Sequence, residues 1–326
     1  MSINLDNPKT YHQYDLSEAY DVLPKFSRHF EKGVSDGQNI FLNYNPTEYT
    51  DFNIITTGKD KHLAEIIYSF SPFFLNIGLH ISTTYRLQNH ITNNSLLLVL
   101  ASEPNQSETK SIISEIENKK CQAVYLASSN YQTENQGDIT FQSTAHTFGF
   151  ILGLLTRFNP QAAKAINLSN IYKIIETTSS KLTKDIDTKT NSAKSLAKKH
   201  AQKAVLVFSA GHLSGVGKFV SGLITNQSKC FSAAWDFPEV KYLIENMFTY
   251  PTRVLSEYQV LLLNSDLFPN NIKSEVSDFK QILSQKRINY TDIKPDSLDW
   301  FEQIAESVVF LSYFSYYLSI TNKVKI

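Results

Sequence analysis

The run Ser95–Ala101 (SLLLVLA) is apolar at every position after the first. A short, uninterrupted run of this kind is the signature of a strand buried on both faces, as in a parallel sheet covered by helices. A polar loop follows, and Glu108–Asn118 then places Ile112, Ile113 and Ile116 at helical spacing. Cys121–Ala127 (CQAVYLA) reads as the next strand, which completes a strand–helix–strand unit with a right-handed crossover. Upstream, Asn53–Thr56 is expected as a strand and Asp60–Phe70 as the helix after it.

The same grammar returns later in the chain. Ala204–Phe208 reads as a strand, Gly215–Ile224 as a helix and Gln259–Asn264 (QVLLLN) as another apolar strand. Ile272–Gln285 is expected as a helix, and Asn289–Ile293 closes the second unit. Two copies of one architecture in 326 residues predict an α/β protein of two doubly wound, flavodoxin-like domains, each a parallel sheet flanked by helices. The expected division is 1–159 for an N-terminal helix and the first domain, 160–203 for a helical connector, and 204–326 for the second domain. Within the connector, Thr177–Lys203 mixes Lys, Ser, Thr and Asp, which fits a solvated connecting helix better than a basic partner-binding arm.

Composition removes several classes of function. Thirty-one basic residues balance 31 acidic ones, so the field that draws nucleic acid is missing. With 42% apolar and 19% charged residues the chain can build a core. Val308–Ile320 is interrupted by Ser and Tyr and falls short of the ~18 residues that span a bilayer. Met1–Lys9 has no apolar core of a signal peptide. Cys121 and Cys230 stand in no CxxC pair. These features lead to the expectation of a cytoplasmic protein with no cofactor, no metal, no nucleic-acid partner and no membrane partner.

In an open α/β sheet, ligands settle beyond the carboxyl ends of strands, against helix N-termini. Ser102, Asn105, Ser107 and Thr109 lie in the loop and first helical turn after Ser95–Ala101. They are either a phosphate cradle or ordinary helix caps. Thr56-Thr57-Gly58-Lys59-Asp60 follows the first strand, and Ser209-Ala210-Gly211-His212 opens the second domain's counterpart. Gly58 and Gly211 suit a tight turn or close ligand approach. His212 and His146 are each open to an acid–base or a structural role.

In this order, these segments resemble the SIS (sugar isomerase) fold, and most closely the bifunctional phosphoglucose/phosphomannose isomerase family. LLLVLASEPNQSETKSIISEI is similar to that family's strand and SYSGNTEET-type phosphate loop, and AHTFGFILGLL to its PRAAxGYxxGxLL helix. KAVLVFSAGHLSGVGKFVSGLITNQSK lies over the strand, GSGG loop and helix that end in NENAK, and FPEVKYL over PELNHNE. The resemblance implies a phosphorylated hexose as ligand, carried by Gly58, Ser102, Asn105, Ser107, Thr109, Ser209 and Gly211, and a homodimer.

The departures fall on the chemistry. The family's carboxylate base is Asn226 here, its ring-opening histidine is Tyr242, its Arg of PRAA is Ala145, and no counterpart of its lysine-bearing terminal helix follows Ile320. Isomerisation moves a proton between neighbouring carbons, and a carboxamide has no proton-accepting state near neutrality. The first expectation is therefore a sugar-phosphate binder that has lost isomerase activity. The alternatives are an active aldose–ketose isomerase with His212 or Glu239 as a relocated base, or a dimeric scaffold whose apolar helix Phe310–Ile320 forms the interface.

Overall fold

The computed structural model describes residues 3–40, 49–56, 61–84, 86–101, 107–127, 138–140, 143–250 and 256–326. The chain divides into two compact units, Met1–Phe26 with Ser169–Ile326, and Ser27–Leu168. In chain order the segments leading into the first sheet are α1 (Pro8–Tyr14) and α2 (Phe26–Asn39).

The Ser27–Leu168 unit then runs β1 (Asp51–Thr56), α3 (Lys61–Phe70), β2 (Gly78–Ser82), β3 (Ser95–Ala101), α4 (Ser107–Lys119), β4 (Gln122–Ala127), β5 (Asp138–Thr140), α5 (Thr144–Phe158) and α6 (Pro160–Ala165). Its strands are all parallel in the order β2-β1-β3-β4-β5. Every residue of β3 is buried, as its continuous apolar run requires, because strands flank it on both edges and side chains cover both faces. Ile112, Ile113 and Ile116 of α4 pack on Leu97, Val99 and Tyr125.

Helices α2 and α5 meet along two glycine pairs spaced four apart. A Cβ at Gly33 would lie 2.1 Å from His146 O, and one at Gly149 would lie 2.2 Å from Phe30 O. Gly37 and Gly153 repeat the contact one turn on. The two backbones touch, and no side chain larger than hydrogen fits between them.

The second unit adds α7 (Leu168–Ser180), α8 (Ser192–His200), β6 (Ala204–Ala210), α9 (Ser214–Ser228), β7 (Ser232–Phe237), α10 (Val240–Met247), β8 (Tyr258–Leu263), α11 (Asn270–Gln285), β9 (Tyr290–Ile293) and α12 (Trp300–Thr321). Its parallel order, β7-β6-β8-β9, repeats that of β2-β1-β3-β4. The duplication of architecture is therefore carried into the topology.

Residues 3–26 group with the second sheet. Asp6 accepts hydrogen bonds from Thr188 N (2.9 Å) and Lys194 Nζ (3.0 Å), and Tyr316 Oη donates to Asp15 Oδ2 at 2.9 Å, so these residues are tied into the second unit. Within the expected connector, α8 has one buried and one exposed face. Ala193, Leu196, Ala197 and His200 are buried along one face of α8. The wholly buried Lys194 ammonium donates to the Lys184 carbonyl at 2.7 Å as well as to Asp6. Burial pushes the Asp6 carboxyl up, but its hydrogen bonds to Thr188 and Lys194 and the Lys194 charge outweigh that and hold it below the ordinary value.

Helix α12 is buried nearly all round, as a helix apolar on every face must be. Tyr313 and Tyr317 satisfy their hydroxyls on Ser179 Oγ (2.9 Å) and Leu182 O (2.6 Å). The aromatic stretch Phe310–Ile320, expected in one reading to face a second copy, is thus spent on the core of its own unit.

Candidate functional site

In both sheets the strand order reverses at one pair, β1/β3 in the first and β6/β8 in the second, and a ligand crevice is expected outside the carboxyl ends of those pairs. The two edges differ in what fills them.

At the first edge, Gly58, Ser102 and Asn105 lie outside the described residues. Thr56 closes β1; it is buried, and its hydroxyl has no hydrogen-bond partner among the described residues. Helix α4 starts here with exposed Ser107, whose Oγ donates to Glu108 Oε2 at 3.0 Å, and with buried Thr109. Thr56 and Thr109 line one small recess with Leu100 and Ile112. The first-turn N–H groups of a 13-residue helix point to this edge, the arrangement that holds an anion.

Helix α5 also starts at this edge. Ser143 caps it by accepting from His146 N at 3.2 Å, and Ala145 is buried in its first turn, where the family pattern has Arg. His146 is buried and bonds through Nε2 to Asp36 Oδ2 at 2.9 Å. Burial pushes the Asp36 carboxyl up, but the hydrogen bonds from His146 and Lys32 and their charges hold it below its usual value. His146 fastens α5 to α2, which is the structural role.

At the second edge the crevice is occupied by the unit's own side chains. Gln303, in the first turn of α12, donates through Nε2 to Ser297 O at 2.7 Å, which fixes its Oε1 as an acceptor. That oxygen receives Ser265 Oγ at 2.6 Å and His212 Nε2 at 2.8 Å, so the His212 proton is on Nε2. His212 follows β6, and Ser265 follows β8. The imidazole stacks on Trp300 (6.0 Å between ring centres) and meets Phe268 edge-on (5.5 Å). Burial holds the His212 pKa below its ordinary value despite the Gln303 bond and the Asp299 charge. It is a neutral, hydrogen-bonded histidine of the interior.

Ser209 and Gly211 are drawn into the same internal order. Ser209 is buried and donates to Asp236 Oδ1 at 2.8 Å, while Lys218 Nζ pairs with Asp236 Oδ2 at 3.2 Å. Its hydroxyl sits where a Cβ on Gly217 would be, 2.2 Å away. Gly211 takes φ +52°, a left-handed turn that favours glycine.

The remaining positions from the resemblance are dispersed. Asn226 is exposed in the last turn of α9, about 18 Å along the helix axis from its start beside Gly211. Glu239 is exposed just before α10, and Tyr242 on that helix is 81% exposed. No hydrogen bond joins His212 to Glu239 among the described residues.

Sequence reasoning missed Gln303, Ser265, Phe268 and Trp300. The matched patterns of β3 and β8 were a usable signal for Ser265 and Phe268, because the loop NSDLFPN stands where SEPNQS stands in the first copy. Elsewhere, a cleft of about 530 Å³ carries six carboxylates, among them Glu18, Asp21 and Asp185, which is the wrong charge for a phosphate. Among the described residues no group of three His, Cys, Asp or Glu side chains is placed to hold a metal ion, and no helix is long and apolar enough to cross a membrane.

Residues 189–325 match the family model of the bacterial phospho-glucose isomerase C-terminal SIS domain. Among solved structures, a glucose-6-phosphate isomerase like protein from Thermus thermophilus is similar at 13% identity and a TM-score of 0.62, over 99% of this chain and 95% of that one. Glucosamine-6-phosphate deaminase from Thermotoga maritima is similar at 12% identity and a TM-score of 0.69, over 95% of each chain. The C-terminal domain of glucosamine-fructose-6-phosphate aminotransferase from Francisella tularensis follows at 10% identity and a TM-score of 0.65, over 93% of this chain and 96% of that one. At such identities the likeness carries the fold alone. A comparison with curated proteins finds no match. Residues 189–325 are thus similar to that SIS domain, and over the rest of the chain the solved structures carry a likeness of fold.

Proposed function

We propose that this protein binds a phosphorylated hexose at the carboxyl edge of its first sheet and no longer isomerises it. The observation that carries this reading is the contrast between the two edges. The first keeps the N-terminus of α4 with Ser107 and Thr109 and a Thr56 hydroxyl that has no partner among the described residues. The second is filled by Gln303, His212, Ser265 and Trp300. A working isomerase must hold a base within about 3 Å of the proton it moves. Asn226 has no basic form near neutrality, and exposed Tyr242 and buried Ala145 replace the histidine and arginine of the family pattern. His212 is committed to Gln303, so it is a poor substitute base.

The reading places Gly58, Ser102 and Asn105 beside Ser107 and Thr109 as ligand contacts, and leaves Ser209 and Gly211 as scaffold. It also carries a cytoplasmic location, consistent with two unpaired cysteines. A homodimer is part of the same proposal, and light scattering that returns the mass of one chain would remove it. Binding is tested by titration calorimetry with glucose 6-phosphate, mannose 6-phosphate and fructose 6-phosphate beside a coupled assay of their interconversion. Heat of binding without turnover supports the reading. Turnover that is lost on replacing His212 or Glu239 replaces it with a relocated active site.

A further inference from the structure

Beyond β9, on the same carboxyl edge as the filled crevice, lies a separate recess of about 300 Å³. That is the lower end of the range for small-molecule sites. Its floor is apolar, formed by Leu182, Ile293 and Phe310. One wall is Lys181, just past α7, with Ser192 in the first turn of α8. The opposite charge comes from the segment after β9, through Asp296.

The charges in this recess sort by whether they are already neutralised. Asp292 is paired with Lys280, and Lys294 with Asp266 at 2.6 Å. Glu306 accepts from Asp296 N, Ser297 N and Ser297 Oγ. Lys181 and Asp296 have no ion-pair partner among the described residues. One unpaired cation, Lys181, therefore faces two carboxylates without a counter-charge, Asp296 and the hydrogen-bonded Glu306, across an apolar floor. Asn191 caps α8 through Lys194 N, which leaves the N–H groups of Ser192 and Ala193 as the orphan donors of the first turn.

An independent observation points into the same space. Ser307 of α12 lines the recess and is 3% exposed, yet its hydroxyl has no hydrogen-bond partner among the described residues. Serines elsewhere along α12, at 312, 315 and 319, each bond to a protein acceptor. The Ser307 oxygen is not sealed from solvent, so it is available to a molecule that occupies the recess.

We propose that this recess is a binding site for a small zwitterion with an apolar side chain, a free amino acid in chemical class. The carboxylate lies toward Lys181 and the α8 N-terminus, the ammonium toward Asp296, the side chain on Leu182, Ile293 and Phe310, and Ser307 Oγ bonds to the ligand. The site is independent of any sugar phosphate at the first sheet.

The test is titration of the full chain, without sugar phosphate, with L-leucine and L-phenylalanine, followed by NMR or calorimetry. The matching amine and the matching carboxylate, each lacking one of the two charges, serve as controls. Saturable binding of an amino acid, weakened about tenfold or more by Ser307→Ala and by Lys181→Ala at unchanged melting temperature, is the expected result. Failure of both amino acids to bind overturns the proposal. So does affinity that neither variant changes, or equal affinity for the singly charged controls. Should Ser307→Ala melt early, Asp296→Asn on the exposed wall decides in its place by the same tenfold criterion.

Discussion

Replacing Gln303 by leucine tests whether the second crevice is held shut from within. The carboxamide serves three groups at once, accepting from His212 and Ser265 and donating to Ser297 O. Leucine matches it roughly in size and serves none of them. His212 and Ser265 are both buried, so two buried donors lose their acceptor. Each such orphan costs about 1–3 kcal/mol, whereas the half-buried Ser297 carbonyl recovers water. The expected destabilisation of this unit is about 3 kcal/mol. Removing the Ser265 hydroxyl in the Q303L background eliminates one orphan but also releases Leu267 N, so Ser265→Ala should cost about 1 kcal/mol less there than in the unmodified protein, the non-additivity expected of groups in one network. Urea unfolding followed by tryptophan fluorescence reads both, since Trp300 stacks on His212 and reports the crevice directly. A shift below about 0.5 kcal/mol for Q303L, or strict additivity with S265A, would refute the reasoning.

Two further perturbations follow from the packing. Burial holds His200 down at about 4, against 6.5 for a free histidine, so between these values the unfolded chain takes up a proton that the folded chain refuses. Stability must therefore fall as pH drops from 6.5 toward 4, by up to about 3 kcal/mol from this residue, and His200→Asn should flatten that limb of a urea-midpoint profile. An unchanged slope would contradict it. Gly149→Val forces a side chain into a gap where a Cβ already lies 2.2 Å from Phe30 O. The Ser27–Leu168 unit should lose about 3 kcal/mol or more in thermal or urea unfolding, and a loss under about 1 kcal/mol would mean that α2 and α5 separate freely.

Elements are legible in the sequence where burial is uniform. SLLLVLA needs two covered faces, and β3 spans the expected Ser95–Ala101. Edge strands are not. In β2 (GLHIS) and β7 (SAAWDF), small, polar or half-exposed residues dilute the apolar signal. The connector reads as solvated because lysines between Ala193, Leu196, Ala197 and His200 hide an i, i+3, i+4, i+7 stripe. Helix α12 begins ten residues before the expected Phe310 because Asp299 caps it, accepting from Phe301 N and Glu302 N.

For the candidate site, local pattern locates the strand ends but not their contents. Gln303 reaches His212 and Ser265 from 91 and 38 residues away, a relation made only when α12 closes over the sheet. No spacing rule encodes it. The substitutions at Ala145, Asn226 and Tyr242 are legible because a methyl, an amide and a phenol have fixed proton chemistry wherever they stand.

The most direct measurement is calorimetric titration of the unmodified protein with glucose 6-phosphate, mannose 6-phosphate and fructose 6-phosphate, with their interconversion followed in the same preparation. A helix N-terminus kept at the first edge and a crevice filled at the second predict a single sugar phosphate bound per chain and no conversion. Conversion above the level of contaminating enzyme, or no heat with any of the three sugars, would contradict that account.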